Sequence, residues 1–210
     1  KTTSVVTMAN MFTYSSSLKS LNLSSFSGEK LENMMGMFMN CSSLESLDLT
    51  AMNTANVTNM NSLFMNCTSL KTIDLSKFDT TNVTLMINLF RNCSSIEELD
   101  LTSFNLTVND PKADFIFDQM KSLKTLKLAM TFVIATKPNS IACNSGEAYA
   151  MRTSSIPGFL TIVCPQPVAE WCAVSTFRWL NSGYSGQKAI PVIFKDIDTG
   201  EEIPVTWPAN

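Results

Sequence analysis

Apolar positions return along this chain at a spacing of 26 residues. Met8, Phe12, Leu18, Leu21, Leu23 and Phe26 are followed by Met34, Phe38, Leu44, Leu47, Leu49 and Met52. The same order recurs as Met60, Phe64, Leu70, Ile73, Leu75 and Phe78, and once more as Met86, Phe90, Ile96, Leu99, Leu101 and Phe104. A fixed period of this length marks a repeat array, in which each unit buries its apolar side against its neighbours. Within one unit two periods alternate. Val57, Met60, Leu63 and Phe64 fall on one face of a helix, whereas Leu70, Ile73 and Leu75 follow the L-x-x-L-x-L spacing of a short strand.

The pattern therefore predicts an α/β solenoid, a leucine-rich repeat array of 26-residue helix-strand units over residues 1–130. Asn56 and Asn82 stand where helix N-caps belong, and Asn40, Asn66 and Asn92 stand at the helix end, where asparagine tolerates left-handed backbone. A fifth, atypical unit carries Phe117, Met120, Leu123, Leu126 and Leu128, with the segment from Asn109 to Asp114 in place of the usual Asn-Val-Thr entry. Beyond it the period disappears. Residues 131–210 read as a small β-rich domain with strands at Phe132–Ile134, Phe159–Val163, Ala189–Phe194 and Ile203–Trp207, and a hairpin around Asp198–Gly200.

Stacking sets equivalent side chains about 4.8 Å apart in the strand region. Cys41, Cys67 and Cys93 keep the period and are expected as a buried ladder of reduced thiols, because side chains in such a column point the same way instead of toward one another. Cys143, Cys164 and Cys172 lie outside the repeats. One disulfide is expected among them, with Cys143 joined to either later cysteine.

Composition narrows the function classes. With 45% apolar and 16% charged residues the chain can bury a core, and a net charge of -3 with scattered basic residues leaves no footprint for nucleic acid. No apolar run is long enough for a membrane-spanning helix, so no membrane insertion is expected. The absence of histidine removes Ser-His-Asp and Cys-His machinery and His-containing metal sites. No cysteine has a basic neighbour that would mark a nucleophile, and no glycine-rich phosphate loop is present, so neither enzymatic activity nor a cofactor is expected. The chain opens at Lys1 directly on repeat pattern, and a leader or earlier repeats are expected either to have been removed or to lie outside this sequence.

The run Val57 to Ser76, with Met60, Phe64, Asn66, Cys67, Leu70, Ile73, Asp74 and Leu75 at fixed offsets, resembles the BspA-like leucine-rich repeat surface proteins over residues 4–130. Asn22 and Ser15 depart from it, standing where later repeats carry aspartate and cysteine. The resemblance implies a secreted or cell-surface, non-enzymatic protein that adheres to a protein or glycan on a cell surface or matrix.

Candidate sites follow from the strands. Ser46, Asp48, Thr72, Asp74, Glu98 and Asp100 lie between the leucines on the face expected to be concave, with Lys127 closing the row. This acidic stripe suits a basic partner or a calcium ion, although aspartate at this position can equally satisfy the following turn, and no metal site is assigned. Seven Asn-x-Ser/Thr sequons, at Asn22, Asn40, Asn56, Asn66, Asn82, Asn92 and Asn105, are candidate glycan acceptors that the repeat also generates from its cap residues. Trp171, Trp179, Tyr184 and Trp207 read as the core of the β-rich domain before they read as a ligand platform. The alternative to a binding module is a filament subunit, self-associating head to tail through an uncapped first repeat.

Overall fold

The computed structural model describes residues 2–105, 115–129, 160–164 and 192–204. The strand half forms where it was expected in the second to fifth units, whereas residues 18–23 of the first unit form no strand. β1 (Ser46–Asp48) pairs in parallel with β2 (Thr72–Asp74), keeping the repeat register Ser46 to Thr72, Leu47 to Ile73 and Asp48 to Asp74. A second parallel sheet runs β3 (Glu98–Leu101), β4 (Thr125–Leu128), β5 (Leu160–Cys164) and β6 (Val192–Asp196) in that order.

The helix half does not form among the described residues, and hydrogen bonding shows why. In the first repeat the N–H groups of Met11, Thr13 and Ser15 close three-residue turns onto the carbonyls of Met8, Asn10 and Phe12. The intervening N–H groups of Met8, Asn10, Phe12 and Tyr14 leave the unit and bond the carbonyls of Asn33, Met35, Met37 and Met39 at 2.8–2.9 Å. An α-helix would need all of these donors along its own axis. Positive φ closes the question, because Asn10 and Tyr14, Gly36 and Asn40, Ser62 and Asn66, and Asn88 and Asn92 all adopt the left-handed region that a helix excludes. At Gly36, φ is +61° and any Cβ would collide with Asn10 Oδ1.

The helical spacing still identified the buried side correctly. Val57, Met60, Leu63 and Phe64 are fully buried, because a run of turns also rotates the chain so that these positions share one side. Asn40, Asn66 and Asn92 do take left-handed backbone, and Asn66 and Asn92 donate their side-chain amides to the Oδ1 of the asparagine one repeat earlier at 2.7 and 3.0 Å. Asn56 and Asn82 cap nothing. Their Nδ2 groups reach back to the carbonyls of Glu29 and Ala55 at 2.9 and 2.8 Å. Thr54 and Thr80, both buried, clip the next unit in two directions: each hydroxyl donates to a carbonyl, of Asp79 and Asn105 respectively, and accepts the same residue's N–H.

The core is a set of columns. Phe12, Phe38, Phe64 and Phe90 stack with ring centroids 5.4–5.8 Å apart and planes within 11° of parallel. Beside them Cys41, Cys67 and Cys93 are buried free thiols, each donating to the carbonyl of Phe12, Phe38 or Phe64 at 3.1 Å. Burial pushes the Cys67 thiol up to about 12 and raises Cys41 and Cys93 as well. A thiol held protonated in the fold but ionising near 9.0 once unfolded contributes stability that is complete below pH 9 and is lost as pH rises toward about 12. Urea titrations on either side of pH 9 are therefore expected to show a stability loss in alkali that is shallower in Cys67→Ala; equal slopes would remove the thiol column as its source.

The described part of the last eighty residues continues the parallel sheet of the repeats. Leu126, Ile162 and Phe194 occupy one register column and belong to the same core, so the same inward alternation carries the ladder across residue 130. At its far edge the chain turns through Gly200, with φ +73°, and returns antiparallel, Asp196 N–H bonding Glu201 and Ile203 N–H bonding Phe194. This is the expected hairpin, seen among the described residues as a bridge between Lys195 and Glu202. Cys164 points into the core as a free thiol, its pKa pushed up to about 12 by burial and by Asp196. The expected pairing of Cys143 with Cys164 or Cys172 involves residues outside the described ones. Cys143 and Cys172, the strand at Phe132–Ile134 and the aromatic residues Trp171, Trp179, Tyr184 and Trp207 lie outside the described residues.

Candidate functional site: the strand face

Alternation along the short strands puts Leu47 and Leu99 inside and leaves Ser46, Asp48, Thr72, Asp74, Glu98 and Asp100 exposed on one face. Two shallow grooves adjoin on this face, and all six residues line one or both. The first, about 580 Å³, is bounded by Ser46, Asp48, Thr50, Thr72 and Asp74. The second, about 680 Å³, lies over the junction of β2 and β3 between Lys71 and Thr72 on one side and Glu98, Asp100 and Ser122 on the other. Ile73 lines both grooves and is only half-buried, unlike Leu47 and Leu99 in its column.

The aspartates hold their own turns. Oδ1 of Asp48, Asp74 and Asp100 accepts the N–H of Thr50, Ser76 and Thr102 at 2.9–3.0 Å, and Asp48 and Asp100 also accept the threonine hydroxyl at 2.7 and 2.6 Å. Bonds from Thr50 and Ser76 hold the carboxyls of Asp48 and Asp74 below the usual carboxylate range. Asp100 and Glu98 meet Lys127 at 3.9 and 2.5 Å, and the hydrogen bond that Lys127 donates to Glu98 raises the lysine's pKa. Among the described residues no ion pair reaches Asp48 or Asp74, and no cluster has the ligand set of a metal site.

Sequence reasoning missed a second charged column beside this row. Lys19, Glu45, Lys71 and Glu97 alternate in sign at the 26-residue spacing and Lys124 follows with the fifth unit's one extra residue, a signal present in the chain itself. Lys71 pairs with Glu45 at 3.2 Å and Lys124 with Glu97 at 2.7 Å. Of the sequons, Asn22, Asn56 and Asn82 are exposed, whereas Asn40, Asn66, Asn92 and Asn105 are partly covered. The side-chain amides of Asn56, Asn66, Asn82 and Asn92 are engaged with the neighbouring repeat.

Parallel stacking of turn-and-strand units with one polar, grooved strand face defines a repeat protein that offers surface. The chain belongs to the family described as "Mycoplasma protein of unknown function, DUF285", whose sequence profile matches residues 1–48 and again 45–129. No curated protein and no solved structure matches it.

Proposed function

We propose that this chain is an extracellular or cell-surface binding module that uses its strand face for adhesion to a protein or glycan, without catalysis. The observation that carries the reading is the convergence of six polar strand residues on two adjoining grooves. The resemblance of Val57 to Ser76 to BspA-like repeats supports the same role, since that family displays its repeats for adhesion.

Surface-binding assays against matrix proteins and cell-surface glycans test it. Thr72→Arg combined with Glu98→Arg, two exposed positions that hold no turn, is expected to weaken binding by about tenfold or more through bulk and charge. Lys30→Glu, away from this face, is expected to leave binding unchanged. If both variants bind as the parent chain does, the strand face is not the site.

The filament alternative has in its favour the exposure of Val6, Met11 and Tyr14 on the first repeat. Against head-to-tail growth through the sheet, residues 201–203 already occupy the outer edge of β6. Regular filaments in negative-stain images of the native material would favour that alternative.

A further inference from the structure

We propose that Asn22 carries an N-linked glycan and is the acceptor among the sequons that lie wholly within the described residues. This rests on the extracellular part of the proposed function and adds to it a modification site at the margin of the strand face.

Attachment to asparagine needs two groups within reach of a transferase: the side-chain amide nitrogen that takes the sugar, and the hydroxyl two residues on that completes the sequon. The repeat consumes both almost everywhere. Nδ2 of Asn56 and Asn82 donates to the carbonyls of Glu29 and Ala55, and Nδ2 of Asn66 and Asn92 runs the amide ladder back to Asn40. The sequon hydroxyls of Ser42, Thr58, Thr68, Thr84 and Ser94 donate to carbonyls one repeat earlier at 3.2–3.5 Å. Asn40 is therefore closed as well, through Ser42 and through its place at the start of the ladder. Thr107, which completes the sequon of Asn105, lies outside the described residues.

Asn22 differs on both counts. It stands in the column that Asp48, Asp74 and Asp100 continue, exposed beside buried Leu23. Its Oδ1 accepts the Ser24 N–H at 2.9 Å, the bond that Asp74 makes with Ser76 at the same distance. Asparagine thus keeps the oxygen that holds the turn and sets an amide nitrogen where aspartate has its second oxygen. Among the described residues neither this Nδ2 nor the Ser24 hydroxyl has a partner, and both side chains face solvent.

The reaction this permits joins Nδ2 to the anomeric carbon of a sugar carried on a diphosphate donor, lipid-linked or nucleotide-linked. The N–C bond forms as the C–O bond to the diphosphate breaks; the diphosphate leaves with that electron pair, and one amide proton passes to a base of the transferase. Oδ1 remains an acceptor, so the turn at Ser24 survives the modification.

The test is glycopeptide mass spectrometry of the whole chain from its native source. Trypsin releases Ser20–Lys30 with Asn22 as its only sequon. This peptide is expected to carry glycan and, after peptide N-glycosidase in heavy-oxygen water, to return with heavy-labelled aspartate at position 22. In chain secreted from a eukaryotic host, Asn22→Asp, which keeps the turn oxygen, and Ser24→Ala are each expected to lose this glycan. Asp74→Asn writes Asn-Leu-Ser into the equivalent turn and is expected to gain one. A bare Ser20–Lys30 peptide in native material overturns the proposal, as does a glycan on Asn56, Asn66, Asn82 or Asn92 in place of Asn22. An Asp74→Asn chain that stays bare also overturns it, because the turn is then not what presents the nitrogen. If Asn22 is bare while Thr72→Arg with Glu98→Arg still weakens capture of a matrix protein, the strand-face reading stands without the glycan; if Asn22 is glycosylated and that capture is unchanged, the glycan site stands and the strand face falls.

Discussion

Replacing Phe64 by alanine is expected to lower the unfolding free energy by about 3 to 5 kcal/mol, the range for removing a fully buried aromatic ring. Phe64 has no solvent exposure and stacks on Phe38 at 5.8 Å and Phe90 at 5.4 Å. Its carbonyl also receives the Cys93 thiol, so the residue ties its own unit to both neighbours. Stability in a repeat array is approximately a sum of unit terms and nearest-neighbour interfaces, and this substitution damages two interfaces at once. Phe12 is the control. It is only half-buried and stacks on Phe38 alone among the ladder rings, so Phe12→Ala is expected to cost less than half as much. Urea unfolding followed by circular dichroism measures both, and equal losses would contradict a ladder in which neighbours share their stability.

Arg91→Ala is expected to cost roughly 2 to 4 kcal/mol, because it strands a buried carboxylate without its partner. The Asp118 side chain is 4% exposed and meets Arg91 Nε at 3.0 Å, while the guanidinium lies over the Phe115 ring at 5.4 Å. The lower part of the range reflects the 39% exposure of Arg91 itself, through which water screens part of the interaction. Removing both charges together, as Arg91→Met with Asp118→Leu, is expected to restore most of the loss, since an apolar pair of similar volume leaves no orphaned charge. A double variant as unstable as Arg91→Ala would show that the site depends on packing around Phe115 instead. By contrast, Lys71→Ala should change stability by less than about 1 kcal/mol, because Lys71 and Glu45 are 65% and 53% exposed and a surface pair of this kind contributes little.

This clasp marks where the atypical fifth unit joins the regular ones. Phe115 occupies the left-handed position that Asn10, Gly36, Ser62 and Asn88 hold in the other repeats, with φ of 59°. A bulky residue is a poor choice for that conformation, and the contact with Arg91 offsets part of the strain. Phe117, Met120 and Leu123 were legible as the continuing core columns. That Phe115 would sit in the left-handed column was not, because one extra residue in this unit shifts the count by which the columns are aligned.

The 26-residue recurrence by itself determined the unit, the buried columns and the exposed strand row. Identical side chains must lie above one another when identical units stack, and apolar ones must then face inward together. The thiol column and the placement of Ser46, Asp48, Thr72, Asp74, Glu98 and Asp100 on one face follow from that periodicity alone. Only the tertiary structure decided that the first half of each unit is a run of turns, because whether Met8 and Phe12 donate their N–H groups along their own segment or across to Asn33 and Met37 depends on the neighbour's presence. It also carried the ladder through Ile162 and Phe194, and it divided the strands into two sheets between β2 and β3. Periodicity reports which side of a segment is buried. The direction of a hydrogen bond belongs to the packed stack.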